Sequence, residues 1–249
     1  MLLQMMTWAE AEAAFKRSPA AIIPIGSTEQ HGPNGLIGTD AQTAEHVARG
    51  VGDVCDAVVT PCIAVAQAQH HMAFAGSMCL KPSTLILVIK EYVESLARHG
   101  VERVYFLNGH GGNITTLNVA FCEIYNEQTF GRDPKVILRQ RNWFDGKAIR
   151  DKIRELYGDK DGSHATISEV SMTQYLFPDH IKKVGEEMGP PSNWRGGFRD
   201  AEDYRGKFPD GRIGAHSWLA TPSDGEAFHK LAVDEVASDY RKFIAGEFG

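Results

Sequence analysis

Ala20-Ala21-Ile22-Ile23-Pro24-Ile25-Gly26 runs directly into Ser27-Thr28-Glu29-Gln30-His31-Gly32-Pro33-Asn34-Gly35-Leu36-Ile37-Gly38-Thr39-Asp40. The apolar run reads as a buried strand, and the polar stretch after it as a loop carrying three good metal ligands, Glu29, His31 and Asp40. Residues two apart on an extended chain project from one face, so Glu29 and His31 reach a common point. Gly32, Pro33, Gly35 and Gly38 supply turns that fold the chain back and bring Asp40 to the same place. Carboxylates and imidazole together suit zinc, manganese or ferrous iron, and a carboxylate can bridge two ions.

Outward from this loop, short apolar runs alternate with amphipathic stretches. Helices are expected over 7–16 (capped by Thr7), 41–51, 82–99, 114–128, 147–157, 167–176 and 224–247. Strands are expected over 20–26, 57–65 (interrupted by Pro61), 101–107 and 134–139. The span 184–222, rich in Gly, Pro and Asp, reads as loop with a short strand near Ile213. Alternation of this kind predicts an α/β fold with a mainly parallel sheet covered by helices. No repeat, low-complexity tract or linker divides the chain, so residues 1–249 are expected to form one domain.

The composition is that of an ordinary soluble protein: 249 residues, 43 % hydrophobic and 23 % charged, enough for a full-sized core without a structural metal. A formal net charge of -6 without blocks of like charge argues against nucleic acid or an anionic membrane as partner. The N-terminus lacks the basic start and long apolar stretch of a signal peptide, and no run approaches the length of a membrane span. Cys62, Cys79 and Cys122 stand among apolar neighbours and read, with Cys55, as free thiols, those three buried. A cytoplasmic protein is expected.

Further chemistry-bearing residues fall at the ends of predicted elements. Asn108-Gly109-His110-Gly111-Gly112-Asn113 sits where a parallel strand gives way to a helix, the edge at which open α/β sheets bind ligands. It is a glycine-rich turn exposing His110, a ligand loop or a phosphate loop, although G-x-G-x-x-G and the P-loop lysine are both absent. Ser163-His164-Ala165-Thr166-Ile167-Ser168-Glu169 adds His164 and Glu169, and Thr166-x-x-Glu169 also matches a helix capping box. Asp40 is open to the same competing role as an N-cap. Capping does not explain why Glu29, His31, His110 and His164 all lie in loops beside element ends, and together they favour a metal site. His70 and His71 either pair beside a metal or line a pocket. Trp143 and Phe144 either touch substrate or are buried aromatics.

Gly26-Ser27-Thr28-Glu29-Gln30-His31-Gly32 followed by Thr39-Asp40 resembles the first signature of the creatininase (creatinine amidohydrolase) family, and Asn108 to Asn113 its second. His71-Met72-Ala73-Phe74-Ala75-Gly76-Ser77 is similar to its His-x-x-Phe-Pro-Gly-Thr segment. His164-Ala165-x-x-x-Glu169 is similar to its His-Ala-Gly-Glu-x-Glu-Thr segment. The matches come in family order over roughly 20–175.

The resemblance implies a three-layer α/β/α sandwich, two divalent ions (Zn2+ or Mn2+, sometimes Fe2+) and a homohexamer. Carried over by position, Glu29 and His110 bind one ion, His31 the second, and Asp40 bridges them. Glu169 completes the ligand set and, with His164 as the proton-handling imidazole, the catalytic group. His71, Ser77 and Trp143 are expected beside a small-molecule substrate. The implied reaction is hydrolysis of a C–N amide bond, cyclic or linear, through a hydroxide shared by the ions. The same site could act on a formamide or a ring C–C bond of a keto-inositol; a non-enzymatic scaffold and a structural zinc site are remoter readings. Departures from the family pattern cluster near the expected substrate. Gly112 stands where creatinine-hydrolysing members carry a glutamate ligand, Thr166 and Ile167 replace Gly-Glu, Val170 replaces Thr, and Ala75 replaces Pro.

Overall fold

The computed structural model describes residues 1–132 and 135–247. Strands β1 (Ala20–Ile25), β2 (Val58–Val59), β3 (Arg103–Asn108) and β4 (Ile137–Asn142) lie in the order β2-β1-β3-β4, all parallel. Register aligns Ile25 with Asn108 and Asn108 with Asn142, so the three longer strands end level.

Side chains alternate across the sheet, and each face has its own core. Ala21, Ile23, Ile25, Val104 and Phe106 meet helices α1 (Trp8–Arg17), α3 (Pro82–Arg98) and α4 (Ile114–Thr129). Ile22, Val59, Tyr105 and Leu107 meet α2 (Thr39–Cys55), α5 (Lys147–Tyr157), α6 (Ile167–Leu176) and α8 (Pro222–Ala245). This is the three-layer sandwich expected. Leu85, Ile89, Val93 and Leu96 show how α3 joins it: their spacing of four, four and three forms one buried stripe. Each such side chain contributes about 1.5–3 kcal/mol by leaving water. No helix of the described residues is long and apolar enough to cross a membrane.

Three expectations change in detail. The 57–65 strand shrinks to Val58–Val59, because Pro61 has no N–H to give; Ile63 rejoins the edge through a single bridge to Ile25. The 184–222 span contains a helix, α7 (Ala201–Lys207), capped by Asp200 and anchored by buried Tyr204. Ile213 makes single bridges to His164 and Ser192. Cys122 is exposed on α4, whereas Cys55, Cys62 and Cys79 are half-buried, and all four thiols are free. The expected start of the fourth strand, Pro134, lies outside the described residues.

Two glycines let α2 press its first turn against the strand ends. A Cβ on Gly26 would meet Ala41 N at 2.3 Å, and one on Gly109 would meet the Asp40 carbonyl oxygen at 2.1 Å. Both partners are backbone and cannot swing aside. Gly109→Ala is therefore expected to cost about 1–3 kcal/mol through overpacking, read as a lower denaturant midpoint. Unchanged stability would show that α2 does not need this approach.

Candidate metal centre

Five donor side chains converge where β1, β3 and α2 meet. Glu29 and His31 leave the end of β1 in a loop closed by Glu29 N–H donating to Ile37 O and Gly35 N–H donating to His31 O. Gly38, not Asp40, caps α2, so the Asp40 carboxylate inside the first turn is free for other partners. His110 follows β3 on a turn locked by Asn108 and Asn113. The Asn108 amide donates to His110 O at 2.6 Å and Asn142 Oδ1 at 2.8 Å, while Asn113 Nδ2 donates to Gly26 O at 2.9 Å. Ala165, with φ +54°, reverses the chain between His164 and the start of α6, so His164 and Glu169 face the same point. That left-handed geometry costs a non-glycine residue about 1–2 kcal/mol.

Asp40 divides its two oxygens. Oδ1 lies 3.0 Å from His31 Nε2, and Oδ2 lies 2.9 Å from His110 Nδ1. His110 Nδ1 is also 3.3 Å from Glu29 Oε1. The donors thus fall into two overlapping triads, Glu29–Asp40–His110 and His31–Asp40–Glu169, joined at Asp40; Glu29, His31 and His164 form a third grouping. Glu29, His31 and Asp40 are each at most 1 % exposed. Glu29 Oε1, His31 Nε2 and Asp40 Oδ2 nevertheless lack any aligned hydrogen-bond partner, as does His110 Nε2, while the Nε2–H of His71 finds no aligned acceptor. Orphaned lone pairs on buried acceptors facing a common centre are what cation ligands look like, because leaving them unpaired is otherwise costly.

The surrounding contacts fix orientation. Ser27 Oγ donates to Glu29 Oε2 at 2.7 Å, and His31 Nδ1 lies 3.2 Å from Glu29 O, which leaves Nε2 facing the cluster as the nitrogen that could hold a metal. Gln30 was not singled out in the sequence, yet it links two histidines. Its Oε1 accepts from Gly32 N–H, and its Nε2 donates to His71 Nδ1 at 2.9 Å and Gly211 O at 3.1 Å. His164 Nε2 then donates to Gln30 O at 2.9 Å, so its Nδ1 lone pair faces the site, 3.7 Å from Glu29 Oε1. Glu169 serves both readings, since Oε2 accepts from Thr166 N–H and Oγ–H as a capping box while the side chain also belongs to the second triad.

Of the other expected residues, His71 is buried with Nε2 3.1 Å from Glu29 Oε1. Ser77 is buried and accepts from Gln30 N–H at 3.1 Å. Trp143 is buried in the second core, while its neighbour Phe144 lines the cavity above the metal donors. His70 lines that cavity too, between His71 and Phe198. Tyr204, which the sequence gave no reason to select, packs its ring 4.8 Å from that of His71 and donates to Gly211 O at 2.8 Å. The cavity has a volume of about 330 Å³.

Electrostatics follow from three carboxylates sharing a dry volume. Burial, reinforced by the Asp40 charge, pushes the Glu29 carboxyl up to about 8. Burial opposes charge on His31 and His110, but the carboxylates outweigh it. Asp40 chiefly raises His31 to about 10, and Glu29 and Asp40 raise His110 to about 9. Burial would also raise Asp40, yet His31 and His110 hold its carboxyl well below the usual range. Burial and the neighbouring His31 keep His164 neutral. Protons thus neutralise the cluster where cations would.

A model of the creatininase family, described as creatinine amidohydrolase, matches residues 4–239, and the chain belongs to that family. It is 36 % identical over 247 residues to the mycofactocin precursor peptide peptidase of Mycobacterium ulcerans, covering 93 % of this chain and 88 % of that one. Against the Mycolicibacterium smegmatis peptidase of the same name, identity is 36 % over 121 residues, covering 46 % of this chain and about half, 47 %, of the relative. The 3-dehydro-scyllo-inosose hydrolase of Thermotoga maritima is 26 % identical over 98 % of this chain and 85 % of its own. In fold, the chain superposes on a creatinine amidohydrolase crystal structure with TM-score 0.86, at 21 % identity and 97 % coverage of both. A manganese form of creatininase gives 0.84, also at 21 % identity and 97 % of both chains.

Two outcomes are expected. Asp40→Ala, which removes the shared donor, should abolish high-affinity zinc or manganese binding in calorimetric titration; retention of full metal content would contradict the assignment. In metal-free protein, His31 and His110 bind protons more tightly folded than unfolded. Their stabilisation is full below about 6.5 and is lost as pH rises through about 9 to 10. Glu29, raised to about 8, acts in the same direction. The melting temperature of metal-free protein should fall between pH 6.5 and 10 and recover with added metal; a rise over that range would refute the charge balance.

Proposed function

We propose that this chain is a metal-dependent hydrolase of C–N amide bonds, acting as one catalytic unit on a small polar or peptide substrate. The observation that carries the reading is the division of Asp40 between two donor triads. Glu29, Asp40 and His110 would hold one divalent ion, and His31, Asp40 and Glu169 a second. Zinc, manganese and ferrous iron all suit this donor set of carboxylate oxygens and imidazole nitrogens. Bound there, such ions would supply an acidified water and polarise the scissile carbonyl.

The chain's own groups do the rest. Ser27 holds Glu29, and Gln30 holds His71 and His164, in place before substrate arrives, the preorganisation that such a site needs. The cavity carries His110, His164 and Glu169 along its wall. His164 is tethered through Nε2–H and presents an unprotonated Nδ1 lone pair. It takes the proton from the attacking water and returns it to the departing nitrogen, a task suited to an imidazole that is neutral at the start. His71 is held by Gln30 with its Nε2 3.1 Å from Glu29 Oε1.

Amide hydrolysis is preferred over ring C–C cleavage because the greater identity, 36 % against 26 %, is to proteins named as peptidases rather than to the inosose hydrolase. A homohexamer, which the family resemblance implies, and a cytoplasmic location, which the free thiols favour, are part of the proposal. The test is to incubate zinc- or manganese-loaded protein with linear N-acyl peptides, creatinine, formamides and a cyclic ketone, and to identify products by mass spectrometry. Turnover of an amide, reduced about 10²–10⁴-fold in His164→Gln with metal content retained, is the expected result. Turnover of the ketone alone, or none at full metal occupancy, would overturn the reading.

A further inference from the structure

The cavity above the metal donors does not end there. Across a shared wall that includes Phe144, Asp161 and Ile213 it meets a second cavity of about 540 Å³. The unshared part of that second cavity is lined by three guanidinium groups: Arg150 and Arg154 of α5, and Arg195 of the loop before α7. Arg150 and Arg154 are one helical turn apart and lie on one side of α5, a spacing at which like charges oppose helix formation.

Nothing in the described chain bonds these three groups. None makes an ion pair or side-chain hydrogen bond with a described residue. Asp151, which acts on Arg150 and Arg154 through space, is bonded to Lys147. Asp161 is committed to Ser168, accepting from its N–H at 2.8 Å and its hydroxyl at 3.1 Å. Asp159 also lines the cavity, so three cations face two carboxylates, Asp159 and Asp161, in a chain whose net charge is -6. The three arginine side chains are solvent-exposed, as are Arg98 and Arg132, which likewise make no ion pair or side-chain hydrogen bond with a described residue, whereas two arginines packed into the fold are fully engaged. Buried Arg212 is bonded to Asp210 and to the carbonyls of Met188, Gly189 and Ala215, and Arg139 makes a two-point contact with Asp239.

We propose that the arginine-lined cavity binds a carboxylate of the substrate, so that the enzyme selects anionic amides whose scissile bond lies at the metal donors. A guanidinium offers two parallel N–H donors that match a carboxylate. Binding energy from a remote group of this kind can position the reacting bond. The proposal rests on the amide-hydrolase reading above, and the test separates the two. The carboxylate is either a peptide C-terminus or an acidic side chain, and both present the same two oxygens.

Metal-loaded protein is titrated calorimetrically with three inert D-peptides: N-acetyl-D-alanyl-D-alanine, its C-terminal carboxamide, and a carboxamide carrying a D-glutamyl side chain. The L-forms are assayed for turnover in parallel. Wild type should bind at least one carboxylate peptide at least tenfold more tightly than the neutral carboxamide, the preferred one identifying the source. In Arg150→Ala/Arg195→Ala that preference should fall below about threefold with metal content and melting temperature unchanged. The variant is needed because a carboxylate also ligates metal. Equal affinity for charged and neutral peptides, or a preference that survives in the variant, overturns the proposal. Arg-dependent binding without turnover of any amide leaves the cavity assignment standing and removes the hydrolase reading. Turnover without charge preference does the reverse.

Discussion

One buried carboxylate, Asp40, sets the terms for everything around it. A carboxylate cannot be withdrawn from water unless its charge is met by partners with good geometry. Here an imidazole lies within 3.0 Å of each oxygen, His31 of one and His110 of the other, yet Oδ2 still lacks an aligned hydrogen bond, which a cation would supply. Those two imidazoles arrive from the ends of β1 and β3, and Asp40 itself arrives on the first turn of α2. The sheet register, which ends these strands level, is therefore also what closes the site. Gly26 and Gly109 are the steric condition for that closure, since any side chain at either position would hold α2 away.

The same condition explains how the site was legible and where legibility stopped. Glu29, His31 and Asp40 could be read because they fall within one short stretch after a strand, and His110 because it occupies the corresponding place after another. Competing local roles proved compatible at Glu169, which caps α6 with one oxygen and still joins a donor triad. At Asp40 the cap passed to Gly38. The helices expected over 82–99 and 224–247 form over Pro82–Arg98 and Pro222–Ala245, whereas 57–65 was misjudged because Pro61 breaks an edge that only three-dimensional pairing can repair.

What the sequence concealed is non-local. Gln30 acquires its meaning only when Gly211, His71 and His164 come to meet it, contacts spanning up to 181 positions. Tyr204 and α7 were hidden in a span whose glycines and prolines mask one short amphipathic turn. Arg150, Arg154 and Arg195 look like ordinary surface charges until α5 and the later loop are brought to one cavity. Gly112 is a further case: its Cβ would meet His110 Nε2 at 2.3 Å, so a glutamate there requires the imidazole to move. Glycine at 112 thus lets the His110 ring occupy the space that a longer side chain there would take.

Two cations on a common aspartate is the claim from which the chemistry follows, and anomalous diffraction from crystals soaked in manganese reads it directly. The account predicts two peaks per chain, each within bonding distance of a different Asp40 oxygen, one beside Glu29 and His110 and the other beside His31 and Glu169. One peak alone at saturating manganese, or two that do not both contact Asp40, would contradict it.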